Sequence, residues 1–258
     1  GGNVPRVYFR RSAPSATTWV STAGSLNSGN GNNGTWNFTI DYSALGLTPV
    51  AGETYQYFVA AQDQATNPVN PNIGFSKFDG TTPTFTNNNV NSLVTAPTTP
   101  DAYTYLTAFS GTITVGTAGT YPTFNGAGGL FAALNGGVLT GDVTVQVISD
   151  INETAYTPLN SLSSSCGGPW TVTIVPNNTT VRTISGANSQ SMIVFNGAAR
   201  VTIDGSSGGS GRYLVWRNTQ AHPAFWLNAG ANNITIKNSQ IESANTTSTA
   251  GAGVIVMG

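Results

Sequence analysis

Charge is the scarcest property of this sequence. Only 7% of the residues are Asp, Glu, Lys or Arg, against about 25% in an average soluble domain. Lysine occurs twice, as Lys77 and Lys237, and the formal net charge is −1. A nucleic-acid backbone is held by clustered Lys and Arg, so no nucleic-acid partner is expected. A polybasic patch for an anionic membrane surface is missing as well. The single cysteine, Cys166, excludes an internal disulfide framework. A nucleophilic role for it needs an imidazole in electropositive surroundings, and His222 is the one histidine. A small residue in the Ser/Gly turn "SLSSSCGGPW" is the plainer reading. No run approaches the ~18 consecutive apolar residues of a membrane span. No secretory leader opens the chain, and "GGNVPRVYF" enters a strand pattern directly while "GVIVMG" stops in one. The chain therefore reads as a piece of a longer protein.

Gly, Ser, Thr and Asn stand where charge would be, with Gly alone at 31 residues. These residues favour turns and strand ends over helices, and Val, Ile, Thr, Tyr, Phe and Trp between them suit pleated sheets. The expected fold class is all-β.

Two patterns divide the chain. Residues 4–10, 17–21, 35–41 and 54–62 alternate apolar with polar, the period of half-buried antiparallel strands. Turn clusters separate them, notably "NSGNGNNG" at 27–34, and "NPVNPN" at 67–72 breaks the run. This spacing predicts an immunoglobulin- or fibronectin-like β-sandwich over residues 1–100. The Pro-rich "APTTPD" marks the boundary, with a linker at 101–107. A parallel β-helix is expected over 108–258, continuing beyond the chain end. Its N-terminal cap would be a short helix within 127–137, covering the open end of the core.

The β-helix reading rests on recurrence. "SMIVFNGAARVTIDGS" and "AFWLNAGANNITIKNS" repeat one phrase: an apolar triplet, Asn, small residues and Gly, then an apolar-Thr-Ile strand. Apolar triplets recur at 143–147, 172–174, 182–184, 193–195, 201–203, 214–216, 225–227, 234–236 and 254–256. Taking every third triplet by its middle residue, Thr173, Thr202 and Thr235 stand 29 and 33 apart. Thr183, Val215 and Ile241 stand 32 and 26 apart, and Val194, Trp226 and Ile255 stand 32 and 29 apart. A period of 20–50 residues marks a solenoid, and three strands per turn is the cross-section of a parallel β-helix. Val201 with Ile234, and Ile203 with Ile236, would stack inside. Asn196 and Asn228 would form a ladder at a corner, and Gly205 a turn. A rival phase through Thr173, Val194, Val215, Thr235 and Ile255, spaced by 20–21, separates the two matching phrases.

"RVYFRRSAPSATTWVSTAGSL", "GTWNFTIDYSALG" and "GETYQYFVAAQDQATN" resemble the immunoglobulin-like modules of very large surface proteins of Bacteroidota-type bacteria. "GTITVGTAGTYPTFNGAGGLFAALNGGVLTGDVTVQV", "WTVTIVPN" and "FNGAARVTIDGS" resemble the right-handed parallel β-helix that follows in them. The resemblance implies export by the type IX route, an extracellular location and an adhesive or structural role. It supplies no catalytic residue.

A glycosidase needs two carboxylates facing one bond, and the β-helix region offers Asp142, Asp150, Glu153, Asp204 and Glu242. Asp204 ends the strand of "VTIDGS", but one coil on stands Lys237, so the pair reads as a surface ion pair of little energetic weight. The paired aspartates and Gly-His-Gly turn of polygalacturonases are absent, as is the carboxylate cluster of the lyases. Arg200 and Arg212 flank strand starts and, with Asp204 and Trp216, form the speculative binding set for an anion, an acidic sugar or a ring-stacked sugar. Solvated charges and core packing are the plainer alternatives, for Arg182 and Arg217 and for Trp226, Trp19, Trp36, Tyr55 and Tyr57 too. His222, followed by Pro, reads as a turn residue. One Asp in "DQATN" at 63–67 is far from a filled calcium site, and no metal or cofactor is expected. The Asn-X-Thr triplets carry no glycosylation meaning in a bacterial protein.

The expectation is a secreted bacterial surface fragment of structural or adhesive role, with a glycan or another surface protein as partner and no catalytic residue named. The runner-up is the N-terminal part of a polysaccharide-active β-helix enzyme. A third reading makes the chain cargo or partner of a secretion or motility assembly.

Overall fold

The computed structural model describes residues 4–31, 33–63, 73–76, 82–165, 167–187, 190–246 and 253–258. The chain is all-β and divides into two compact units, Gly1–Leu106 and Thr107–Gly258.

Among its described residues the first unit has nine strands: β1 (Arg6–Ala13), β2 (Val20–Ala23), β3 (Ser25–Gly29), β4 (Gly34–Asn37), β5 (Thr54–Gln62), β6 (Ile73–Phe75), β7 (Thr84–Phe85), β8 (Leu93–Thr95) and β9 (Asp101–Thr104), of which β1, β2, β4 and β5 overlap the four alternating segments. One antiparallel sheet runs β2-β1-β5-β6, with β9 also on β5. β3–β4 and β7–β8 are separate hairpins, the first built around the Asn/Gly turn cluster. Val7, Tyr8 and Phe9 are all buried, so both faces of β1 are covered. Tyr8 and Phe58 stack on one face, with centroids 5.3 Å apart. They lead a cluster with Ala60 and Val90 that Trp19, Phe75 and Leu93 pack against. Tyr55 stacks on Tyr103 at 5.7 Å and Tyr42 meets Tyr55 edge-on at 4.9 Å. The segment read as a linker, 101–107, instead contributes β9 to this sheet. "NPVNPN" lies outside the described residues.

In the second unit β10 (Thr107–Val115) leads into four coils. The first comprises β11 (Gly137–Val147), β12 (Ile151–Glu153) and β13 (Leu159–Asn160), and the second β14 (Val172–Pro176), β15 (Arg182–Gly186) and β16 (Ile193–Asn196). The third comprises β17 (Ala199–Asp204), β18 (Leu214–Asn218) and β19 (Phe225–Asn228), and the fourth β20 (Asn232–Lys237), β21 (Ser239–Ser243) and β22 (Ile255–Met257). Three parallel sheets result: β10-β11-β14-β17-β20, β12-β15-β18-β21 and β13-β16-β19-β22. This is a β-solenoid. Its core is a set of inward columns, one residue per coil. Ile113, Val145, Ile174, Ile203 and Ile236 form one, and Ile151, Ile184, Trp216 and Ile241 form another. Each buried side chain of this size contributes about 1.5–3 kcal/mol, and only the next coil can bury it.

The register pairs Thr173 with Thr202 and Thr202 with Thr235, as the spacing predicts. The rival short phase falls on different sheets and is not the fold. Two assignments shift by one residue: Val215 faces Gln240 rather than Ile241, and Trp226 faces Val256 rather than Ile255. Ile241 instead continues the inward column of Trp216, and Ile255 is in register with Phe225 but stands exposed on the last coil. The expected cap helix is α1 (Leu130–Asn135), with Leu130, Phe131 and Leu134 buried against the core. The Asn135 amide donates to Pro158 O and its carbonyl oxygen accepts from Asn160 N, both at 2.9 Å, which fastens the cap to β13.

Candidate functional site

The polar side chains of the solenoid do one thing repeatedly: they reach from one coil to its neighbour. Asp142, at the middle of β11, accepts from Thr171 N at 2.8 Å and Thr171 Oγ1 at 2.9 Å. These bonds favour the charged form and hold its carboxyl below the usual aspartate range. Asp150 accepts from Thr183 N at 2.8 Å. Ser149 Oγ accepts from Thr117 N at 2.7 Å. Asn196 Nδ2 donates to Asn160 Oδ1 at 2.8 Å. Glu242 and Arg217 pair across the third and fourth coils.

Asp204 is the densest of these ties. Its Oδ1 accepts from Ser206 N at 3.0 Å, Ser206 Oγ at 2.7 Å and Asn238 Nδ2 at 3.0 Å. Its Oδ2 lies 3.1 Å from Lys237 Nζ, the ion pair expected from the spacing. Burial would raise its carboxyl, but the Asn238 and Ser206 donors and the Lys237 ammonium outweigh that and hold it far below the ordinary value. A carboxylate so held keeps its charge at every ordinary pH and has no proton to give, and its oxygens already have partners. It is a poor general acid and a poor base. Gly205 follows because a Cβ there would stand 2.0 Å from Asn238 O.

The other members of the speculative set separate. Arg200 adopts a left-handed backbone, φ 59°, matched one coil on by Asn233 at 52°. Its Nε donates to Trp170 O at 3.0 Å, another tie to the preceding coil. Arg212 is exposed in the Gly-rich corner after β17. A strand length lies between the two arginines, so they do not make one anion patch. Trp216 is a correction: at 0% exposure it is core. Its ring packs on Phe124 at 5.4 Å and Phe225 at 5.2 Å and offers no face to a sugar. Trp226 is half-buried, between Val194 and Val256 in register. Asn228 is in register with Asn196, and its carbonyl accepts from Gly197 N at 3.0 Å, while the side-chain bond of the ladder runs from Asn196 back to Asn160. His222 holds its turn through the backbone: its N donates to Gln220 O at 2.8 Å and its O accepts from Ser243 Oγ at 2.6 Å. Cys166 and residues 64–67 of the acidic turn lie outside the described residues.

Sequence reasoning offered Glu153 only as one of five candidate carboxylates. It is buried at the corner of the first coil, where it accepts from Phe124 N at 2.7 Å and Asn125 N at 3.0 Å. Burial pushes its carboxyl up, against those two amide bonds. Asn125 continues the cluster: its amide donates to Met192 O at 3.1 Å, and its carbonyl accepts from Thr157 N at 3.1 Å. The signal for the ties was present: Asp142–Thr171, Asp150–Thr183 and Asp204–Asn238 stand 29, 33 and 34 apart, one coil period each.

Among the described residues no three His, Cys, Asp or Glu side chains gather as metal ligands, and no helix is long and apolar enough to cross a membrane. No family model matches the chain, and neither a curated protein nor a solved structure is found to be similar to it.

Proposed function

We propose that the chain is part of a secreted bacterial cell-surface protein whose role is structural and adhesive. In this reading the first unit is an immunoglobulin-like module and the second a right-handed parallel β-helix that holds a polar face outward. The observation that carries it is the use of the solenoid's carboxylates. Asp142, Asp150 and Asp204 each tie one coil to the next, which stiffens a stack and leaves them ill-suited to acid–base catalysis. The low charge agrees with a surface that makes many weak polar contacts. The test is accessibility. An antibody against the second unit should label intact, unpermeabilised cells of the source bacterium. Labelling seen only after permeabilisation would sink the surface assignment.

A further inference from the structure

One polar row differs from every tie described above. Thr112, Thr144, Thr173, Thr202 and Thr235 are in register across all five strands of the first solenoid sheet. Thr144, Thr173, Thr202 and Thr235 each sit between two inward residues and so point outward, and Thr112, between Gly111 and the inward Ile113, is exposed in the same row. Neighbouring strands lie about 4.7–4.9 Å apart, and the row is therefore about 19 Å long. No hydrogen bond joins these five side chains to another described group, whereas Asp142, Asp150, Asp204 and Asn196 of the same coils are bonded to the neighbouring coil.

We infer that this row is the seat of a neutral, unbranched polysaccharide lying across the strands along the solenoid axis. The inference rests on the adhesive reading and names its ligand class. A threonine hydroxyl both donates and accepts, as does a sugar hydroxyl, and its methyl offers an apolar contact beside it. An anionic polymer calls for charged donors, and the charges two residues to either side of the row are already engaged: Asp204 pairs with Lys237 at 3.1 Å, Asp142 accepts from Thr171 N and Oγ1, and Arg200 Nε donates to Trp170 O. An apolar partner would bury the hydroxyls unpaired, at a cost. An added strand pairs with a sheet edge, not with a face. The row repeats in one direction only: the next outward column reads Thr114, Gln146 and Val175, then Asp204 with Lys237. A one-dimensional polymer fits a single row, while a two-dimensional crystal face such as ice needs a second.

The experiment is binding to arrayed cello-, xylo-, manno- and laminari-oligosaccharides, with uronic-acid oligomers as charged controls, at low and high salt. It compares the wild-type chain with two triple variants, Thr144→Val/Thr173→Val/Thr202→Val and the same positions changed to Ser. Circular dichroism and the melting temperature establish that each is folded. Expected are salt-insensitive binding of one neutral series, a loss of about a hundredfold in the Val variant and near-retention in the Ser variant. Equal binding by the Val variant overturns the row while leaving adhesion standing. Binding of uronic-acid oligomers alone, or of no sugar, overturns the ligand class, and the surface assignment is then judged by cell labelling. Inhibition of ice recrystallisation that the Val variant loses would overturn it in favour of ice.

Discussion

Asp204 and Gly205 show how tightly single residues are constrained where two coils meet. A methyl on Gly205 meets a backbone oxygen, which cannot swing away as a side chain would. Gly205→Ala is expected to cost at least about 2–3 kcal/mol, read as a lowered urea midpoint. Asp142, Asp204 and Glu242 all have folded pKa values below their unfolded ones. Such groups contribute stability that is fully present above the unfolded value, near 4, and that is lost as pH falls toward the folded one. The melting temperature of the solenoid should therefore drop as pH falls below about 4, and Asp204→Asn should flatten part of that slope. Glu153 has the opposite sign: its raised pKa contributes most below its unfolded value, and that part is lost as pH rises through the folded one. A slope that Asp204→Asn leaves unchanged would remove Asp204 from the account of acid stability.

Elements were legible wherever alternation or recurrence marked them. The Thr strands of the first solenoid sheet were readable because apolar-Thr-Ile repeats with inward residues on both sides. β12 and β13 were missed, since they are three and two residues long and β12 places Glu153 inward. β21 reads "SQIES", with one apolar residue, and taking that residue as the strand centre displaced the register by one. Trp216 was unreadable for another reason. Leu214, Val215 and Trp216 are all buried, so β18 carries no polar phase to say which way the ring points. Trp216→Ala should lower stability by about 3–5 kcal/mol, and Trp216→Phe by less, because Phe124 and Phe225 keep a ring between them. Leu134→Asp in the cap helix places a charge over the first coil and should destabilise the solenoid by a similar amount. Chemical denaturation followed by tryptophan fluorescence reads both.

For the molecule as a whole, each unit has its own core, so two unfolding transitions are expected in calorimetry, with Trp216→Ala moving one of them only. Composition alone was enough for the all-β class, and the coil period for the solenoid. The roles of the carboxylates were not legible, because an aspartate that ties two coils and one that attacks a bond are the same letter until the partner one period away is recognised. The central claim is that these carboxylates build and the surface binds. The most direct measurement follows both retention and chain cleavage when the purified protein is incubated with linear polysaccharides, neutral and acidic. The account predicts retained polymer with no new reducing ends and no unsaturated products. New chain ends that disappear in Asp142→Asn, Asp204→Asn or Glu242→Gln would contradict it and make the solenoid an enzyme.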